Sequence, residues 1–270
     1  MMKLPFRMGT TSYIIPDEII PNVHFLADQV DDIELVLFEV EDGTNNLPDA
    51  KTIAALKKAA RDHHLSYTVH LPLGLHLAAD GSDQHLSIRK AHQVIDTTLE
   101  LDPWAFVLHL PGPEILNKTN LAEIEKWNRQ AAGALEILLD LVKDGRYLAV
   151  ENLERYPAGF WDEVLRRSPV SRCIDIGHLW YQGLDPVPYL EKYIERARVL
   201  HIHGIAERDH QSLANVPVEE LRRVMRFILQ SGFQGVLTIE VFGEADFRSS
   251  LSAIQVALDR LSREGLWENK

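Results

Sequence analysis

The chain is poor in cysteine, in cations and in long apolar runs, and each shortage narrows what it can be. A single cysteine, Cys173, rules out an intramolecular disulfide framework and points to a reducing, cytoplasmic setting. No apolar run is long enough to span a bilayer, and residues 1–7 lack the apolar stretch of a secretory leader, so no membrane partner is expected. Lys and Arg number 28 against 40 Asp and Glu, a formal charge of −12. Proteins grip nucleic-acid backbones with Lys and Arg that displace counterions, so no nucleic-acid partner is expected either. A Gly-rich phosphate loop is missing too, because Gly9-Thr10-Thr11-Ser12-Tyr13 is not a dinucleotide fingerprint.

What is present is alternation. Short apolar runs fall at residues 6–11, 33–39, 66–71, 105–110, 147–152, 172–176, 199–203 and 236–241. Between and after them lie helical stretches at 17–30, 49–63, 84–99, 120–143, 160–167, 185–196, 218–230 and 247–264. In the longest, Leu121, Ile124, Ala131, Leu135, Leu138 and Val142 share one face. Strands this apolar need both faces covered, which a parallel sheet with flanking helices provides. Eight strand–helix pairs in 270 residues, with no compositional break, predict one α/β domain over residues 1–270. The expected architecture is a (β/α)8 TIM barrel.

Function in a barrel sits at the carboxyl ends of the strands. Those ends read Glu39, His70, His109, Glu151, Asp175 with His178, His201 with His203, and Glu240. One such residue is most often an ordinary hydrogen-bonded loop residue. Seven consecutive strands ending this way point to a shared metal site, because charged groups inside apolar runs are costly to bury unless paired or coordinating. Imidazoles and carboxylates without thiolates suit zinc, manganese or iron. The number of ligands exceeds one tetrahedral ion, which implies two or three divalent ions per chain. Such pairs of ions serve in-line displacement at phosphorus. The loop Glu207-Arg208-Asp209-His210 adds Asp209 and His210 as outer ligands and Arg208 as a phosphate contact. Cys173 reads as a buried, inert thiol, and Tyr13 as a pocket residue.

These residues resemble the metal-site pattern of endonuclease IV, in the xylose isomerase-like, AP endonuclease family 2 superfamily of TIM barrels. The resemblance implies that His70 and His109 bind one zinc, with Glu151 bridging to a second. Asp175, His201 and Glu240 would complete the second ion, and His178 and His210 would belong to a third. Here Arg208 stands where that family carries its loop acid, and His203 where the endonuclease has Asn. Several phrases are closer still to the cobamide-remodelling phosphodiesterases, a bacterial branch of this superfamily. They are Gly9-Thr10-Thr11-Ser12-Tyr13-Ile14-Ile15-Pro16, Val36-Leu37-Phe38-Glu39, Tyr67-Thr68-Val69-His70-Leu71-Pro72, the run from Asp102 to His109, and Arg208-Asp209-His210 before Ser212-Leu213. This resemblance implies hydrolysis of the phosphodiester in the nucleotide loop of a cobamide, for corrinoid salvage.

The leading expectation is therefore a metal-dependent phosphodiesterase with a cobamide as its small-molecule substrate. Glu151, Glu240 and His178 are the candidate catalytic residues, and Tyr13, Glu39, His203 and Arg208 the candidate substrate contacts. A divalent-metal sugar isomerase or epimerase is the alternative, using Glu151, Asp175, His201 and Glu240 around one ion. An abasic-site endonuclease is a third reading, and the charge of −12 counts against it.

Overall fold

In the computed structural model, residues 4–37, 40–41 and 44–265 are described. Eight strands run parallel: β1 Arg7–Thr11, β2 Asp32–Val36, β3 Ser66–His70, β4 Phe106–Leu108, β5 Leu148–Glu151, β6 Ser171–Asp175, β7 Ala197–Ile202 and β8 Val236–Ile239. Each pairs with its sequence neighbours, and β1 closes the ring by pairing with both β2 and β8. The expected barrel is the observed one. A two-residue ribbon, Val40–Glu41 with Thr44–Asn45, follows β2 and has no counterpart in the sequence expectation.

The two faces of each strand do different work. Outward Ile33, Leu35, Phe106, Leu108, Ile174, Leu200 and Ile239 join the large core beneath the helices. The inward residues Ala105, Val107, Ala149, Cys173 and Val199 form a second, small cluster, with Trp104 packed against it. Above this layer the interior turns polar: Glu34, Thr68, His70, Glu151, Asp175, His201 and Thr238 are all buried. Small apolar residues fill the lower barrel, and chemistry-bearing residues fill the upper half.

The helices are α1 Ile19–Leu26, α2 Ala50–His63, α3 Leu86–Thr98, α4 Leu121–Leu139, α5 Asp162–Arg166, α6 Ile176–Tyr181, α7 Pro186–Tyr193, α8 Val218–Gln230 and α9 Glu244–Arg263. Side chains of Asp49, Asn120 and Asp185 cap α2, α4 and α7 by accepting backbone N–H groups left unpaired at helix starts. The structure corrects two expectations. In α4 the buried stripe is Trp127, Ala131, Ala134, Leu135 and Leu138, whereas Leu121 is 80% exposed because it opens the first turn. That helix also stops at Leu139 rather than running to 143, and a short 3-10 turn at Gly145–Tyr147 leads into β5. The helix α6, directly after β6, was not expected from periodicity, since six residues are too few to show it.

Leu135 packs fully buried between α4 and the barrel wall. Leu135→Ala is expected to cost about 2–5 kcal/mol, read as a lowered urea midpoint with an unchanged denaturant slope.

Candidate metal centre

The strand ends place the polar residues around one point. His70 ends β3, Glu151 ends β5, Asp175 ends β6 and His201 lies in β7, paired in register with Asp175. His109 and Glu240 stand just beyond β4 and β8, where the ladders have ended and the chain turns into its loops. Glu151 is the hub. Its Oε2 lies 3.2 Å from His70 Nε2 and 3.0 Å from His109 Nε2, and its Oε1 lies 3.4 Å from His201 Nδ1. Glu240 Oε2 is 3.0 Å from His201 Nδ1 and 3.3 Å from His210 Nε2. Besides a thiol-containing set of Glu151, Cys173 and His201, three donor groups result: His70, His109 and Glu151; Glu151, Asp175, His201 and Glu240; and Asp175, His178, His203 and His210, the donor atoms of each lying within 4.8 Å of one another.

Local structure holds these donors in place. Asp175 caps α6, its Oδ1 accepting the His178 N–H at 2.7 Å, so one carboxylate serves both the helix start and the centre. Asn152 clamps the same corner, donating to the Asp175 carbonyl and accepting its N–H, each at 2.9 Å. His70 Nδ1 lies 2.7 Å from the Leu71 carbonyl, and His178 Nδ1 lies 3.0 Å from that of Asn152. A carbonyl only accepts, so both rings carry a proton on Nδ1; His70 turns Nε2 to Glu151, whereas His178 Nε2 lies 3.8 Å from Glu154 Oε2 and its Nδ1 3.4 Å from Asp175 Oδ2. Gly177 makes room for His203: a Cβ there would stand 2.2 Å from His203 Nε2. Residues Gly204 and Gln211 pair by two backbone hydrogen bonds of 2.7 and 3.0 Å and close a loop between them. That loop carries His210 at a φ of 52°, a left-handed conformation that a non-glycine residue adopts only when its surroundings impose it. Its N–H donates to His203 Nδ1 at 3.0 Å and its ring stacks on His203 at 4.2 Å.

Charge in this dry space is strongly coupled. Burial opposes ionisation of Glu151, yet the His109 and His201 rings hold it well below the usual carboxylate range. Burial likewise opposes ionisation of Glu240, which His201 and His210 hold down. Burial works against a charge on His178, but Asp175 and Glu151 push it up to about 9. Glu240 pushes His210 up to about 10 against the same burial. The Cys173 thiol is pushed well up by burial, so it stays protonated and is a poor ligand beside His201.

The residues fit divalent cations. Asp175 Oδ2, His201 Nδ1, His203 Nε2 and Glu240 Oε2 are buried without a hydrogen-bond partner. His201 Nδ1 and Glu240 Oε2 lie 3.0 Å apart yet out of line for a hydrogen bond, and Asp175 belongs both to their donor group and to that of His203. Nitrogen and oxygen donors of this mixture suit zinc, manganese or iron.

Of the expected site residues, His70, His109, Glu151, Asp175, His178, His201, His210 and Glu240 are brought together. His203, expected at the substrate, is fully buried inside the third donor group. Asp209 lies outside the three groups, with its Oδ1 3.2 Å from His210 Nδ1. Arg208 is exposed, and Tyr13, 39% exposed, accepts from Asn46 Nδ2 at 3.2 Å. Neither lines the cavity over the centre, and Glu39 lies outside the described residues. That cavity, of about 360 Å³, is lined by donor residues together with Leu73, Glu154, Asp209 and Phe242. A larger depression of about 720 Å³ opens at the opposite end of the barrel, around Trp104, Arg196 and Arg198, and holds none of these donors. Sequence reasoning missed Asn152 and the buried Glu34. The available signal for Glu34 was an acid alternating with aliphatics within a strand, Asp32-Ile33-Glu34-Leu35.

A closed parallel barrel with histidines and carboxylates gathered at its carboxyl ends is the build of a metal-dependent barrel enzyme. The chain belongs to the family described as xylose isomerase-like TIM barrel, which matches residues 29–263. Solved structures of similar fold include a D-tagatose 3-epimerase-like protein, 19% identical, with a TM-score of 0.76 and 96% and 99% of the two chains covered. Endonuclease IV from Thermus thermophilus is 18% identical, with a TM-score of 0.70 and 94% and 99% covered. A 3-keto-D-glucoside 4-epimerase from E. coli is 13% identical, with a TM-score of 0.69 and 94% and 99% covered. At these identities the likeness concerns the fold. Among curated proteins none matches the chain.

Two measurements probe the centre. With His178 near 9 and His210 near 10, both rings are protonated at neutral pH in the metal-free protein, and an entering cation must displace those protons. Cation affinity is therefore expected to rise with pH, about tenfold per unit for each proton displaced, as measured by chelator competition between about pH 6 and about pH 8. Gly177→Ala is expected to push the His203 ring off its seat and weaken binding of one cation about tenfold or more, with the fold intact by circular dichroism.

Proposed function

We propose that the chain is a multinuclear metal-dependent phosphodiesterase that hydrolyses the nucleotide-loop phosphodiester of cobamides. The observation that supports this most is the size of the donor set around Glu151. A single ion needs only Glu151, Asp175, His201 and Glu240, yet His70 and His109 converge on the other oxygen of Glu151, and His178, His203 and His210 gather on Asp175.

Two or three divalent ions would supply Lewis acidity to the phosphoryl oxygens and acidify the attacking water. His70 and His109 would hold one, Asp175, His201 and Glu240 a second, with Glu151 between them, and His178 and His210 a third. Asp209 steadies His210 through its Nδ1. Glu151, Glu240 and His178 face the cavity and are the residues through which a proton can pass at the reacting centre. Among the described residues no Lys or Arg lines that cavity, while Leu73 and Phe242 do. A substrate with one phosphodiester charge and a bulky, largely uncharged body accords with that lining better than a polyanion does. The cobamide assignment itself is supported by the sequence phrases around Gly9, His70, His109 and Arg208. No helix among the described residues is long and apolar enough to cross a membrane, and the lone thiol is buried and free, which accords with a reducing cytoplasm.

A sugar isomerase or epimerase is the second reading, favoured by the epimerases among the similar structures. Incubating the metal-reconstituted protein with adenosylcobalamin and following products by chromatography tests the first. Cleavage is expected with two or three ions per chain, and His70→Ala should lower it by about two orders of magnitude or more. An intact cobamide, with one ion per chain and His70→Ala active on a ketose, would overturn the proposal in favour of the epimerase.

A further inference from the structure

One buried carboxylate has no part in the proposed chemistry. Glu34, on the inner face of β2, is fully buried, and its Oε1 has no hydrogen-bond partner. Its Oε2 lies 2.9 Å from His201 Nε2. An ionised carboxylate in a dry interior is costly, and an apolar side chain would fill the barrel wall more cheaply, so packing alone does not account for it.

The other side of the His201 ring supplies the reason. His201 Nδ1 is buried without a hydrogen-bond partner, 3.0 Å from Glu240 Oε2 and 3.4 Å from Glu151 Oε1. His70 has the opposite arrangement, with Nδ1 on a backbone carbonyl and Nε2 3.2 Å from Glu151 Oε2. At His201 the nitrogen toward the centre is Nδ1, so the proton must sit on Nε2, and there the group in reach is Glu34. Strand register fixes this geometry: Glu34 pairs with Thr68 and Thr11 on its two neighbours, and His201 enters from the far side of the barrel, paired with Asp175 and Thr238.

We propose that Glu34 is a positioning residue that keeps the His201 proton on Nε2, so that His201 takes its cation through Nδ1 while His70 takes its own through Nε2. The charge of Glu34 also makes the ring a stronger donor, as carboxylates behind metal-bound imidazoles do. The inference rests on His201 being a metal ligand, as in the proposed function, and on nothing about the substrate.

Nitrogen-15-labelled protein loaded with zinc tests it through long-range proton–nitrogen correlations of the imidazoles. His201 is expected to be metallated at Nδ1 with a slowly exchanging Nε2 proton, and His70 at Nε2. Glu34→Gln keeps an accepting oxygen and loses the charge, so zinc affinity at that site should fall about tenfold. Glu34→Leu loses both and should cost about a hundredfold, with a shifted visible spectrum of the cobalt-substituted protein. His201 metallated at Nε2, His201 free of metal, or both variants holding zinc as tightly as the parent would each overturn the assignment. The parent spectrum decides the matter even where Glu34→Leu does not fold. An intact cobamide alongside the Nδ1 signature would sink the phosphodiesterase and leave this inference standing.

Discussion

Buried negative charge is the constraint on which the upper half of this barrel depends. Glu34, Glu151, Asp175 and Glu240 lie within a space that the strands and loops keep from water. Carboxylates so placed repel one another and have lost their hydration, a combination no hydrophobic packing can offset. The imidazoles of His70, His201 and His210 interleave with them, and although burial opposes a charge on these rings, the neighbouring carboxylates push all three above the usual imidazole range. Divalent cations answer the same electrostatic demand more compactly, because one ion meets several carboxylates at once. Protons and metal ions therefore compete for one set of atoms.

Secondary structure is arranged around that demand. The lower interior is closed by Ala105, Val107, Ala149, Cys173 and Val199, residues small enough to pack without intruding on the polar layer above. At the top, the segment from Asp175 to His178 does three jobs in four residues. Asp175 ends a strand and caps a helix, Gly177 leaves space for the His203 ring, and His178 places its Nδ1 on the Asn152 carbonyl. The short α6 exists because the cap and the glycine need a turn of helix there, not because an amphipathic stripe drives it. His210 is held in a costly backbone conformation by a closed loop and by His203, a cost that makes sense where a side chain must reach a fixed point.

Much of this could be read from the sequence, and the reason is periodicity. Strands with apolar residues on both faces, alternating with helices long enough to show a stripe, announce a parallel barrel, and the ends of those strands name most of the donors. What could not be read was whatever depends on a contact across the barrel. Glu34 and Asn152 look like ordinary polar residues until β7 and β6 are brought to them. His203, beside His201 at the strand end where the resembling endonuclease has Asn, reads as a substrate residue, and only the fold shows it buried against the His210 ring. Leu121 fitted the helical stripe by spacing and is exposed, since position in the first turn overrides spacing.

The barrel itself does not choose a reaction, for structures named as epimerases and as an endonuclease share it with this chain. The choice lies in which positions are added to a common set of four. Glu151, Asp175, His201 and Glu240 suffice to hold one ion that polarises a carbonyl, the need of an isomerase. Adding His70 at the end of β3 and His109 just beyond β4 gives Glu151 a second set of partners and, on the proposed reading, would let it serve two ions. A bridge between two ions suits a reaction in which an oxygen arrives as another departs, each needing its own positive charge. Displacement at phosphorus has that form, and the shift of a proton between neighbouring carbons does not. On the proposed reading, the imidazoles of His70 and His109, more than the four residues common to both readings, are therefore where the chemistry would be decided.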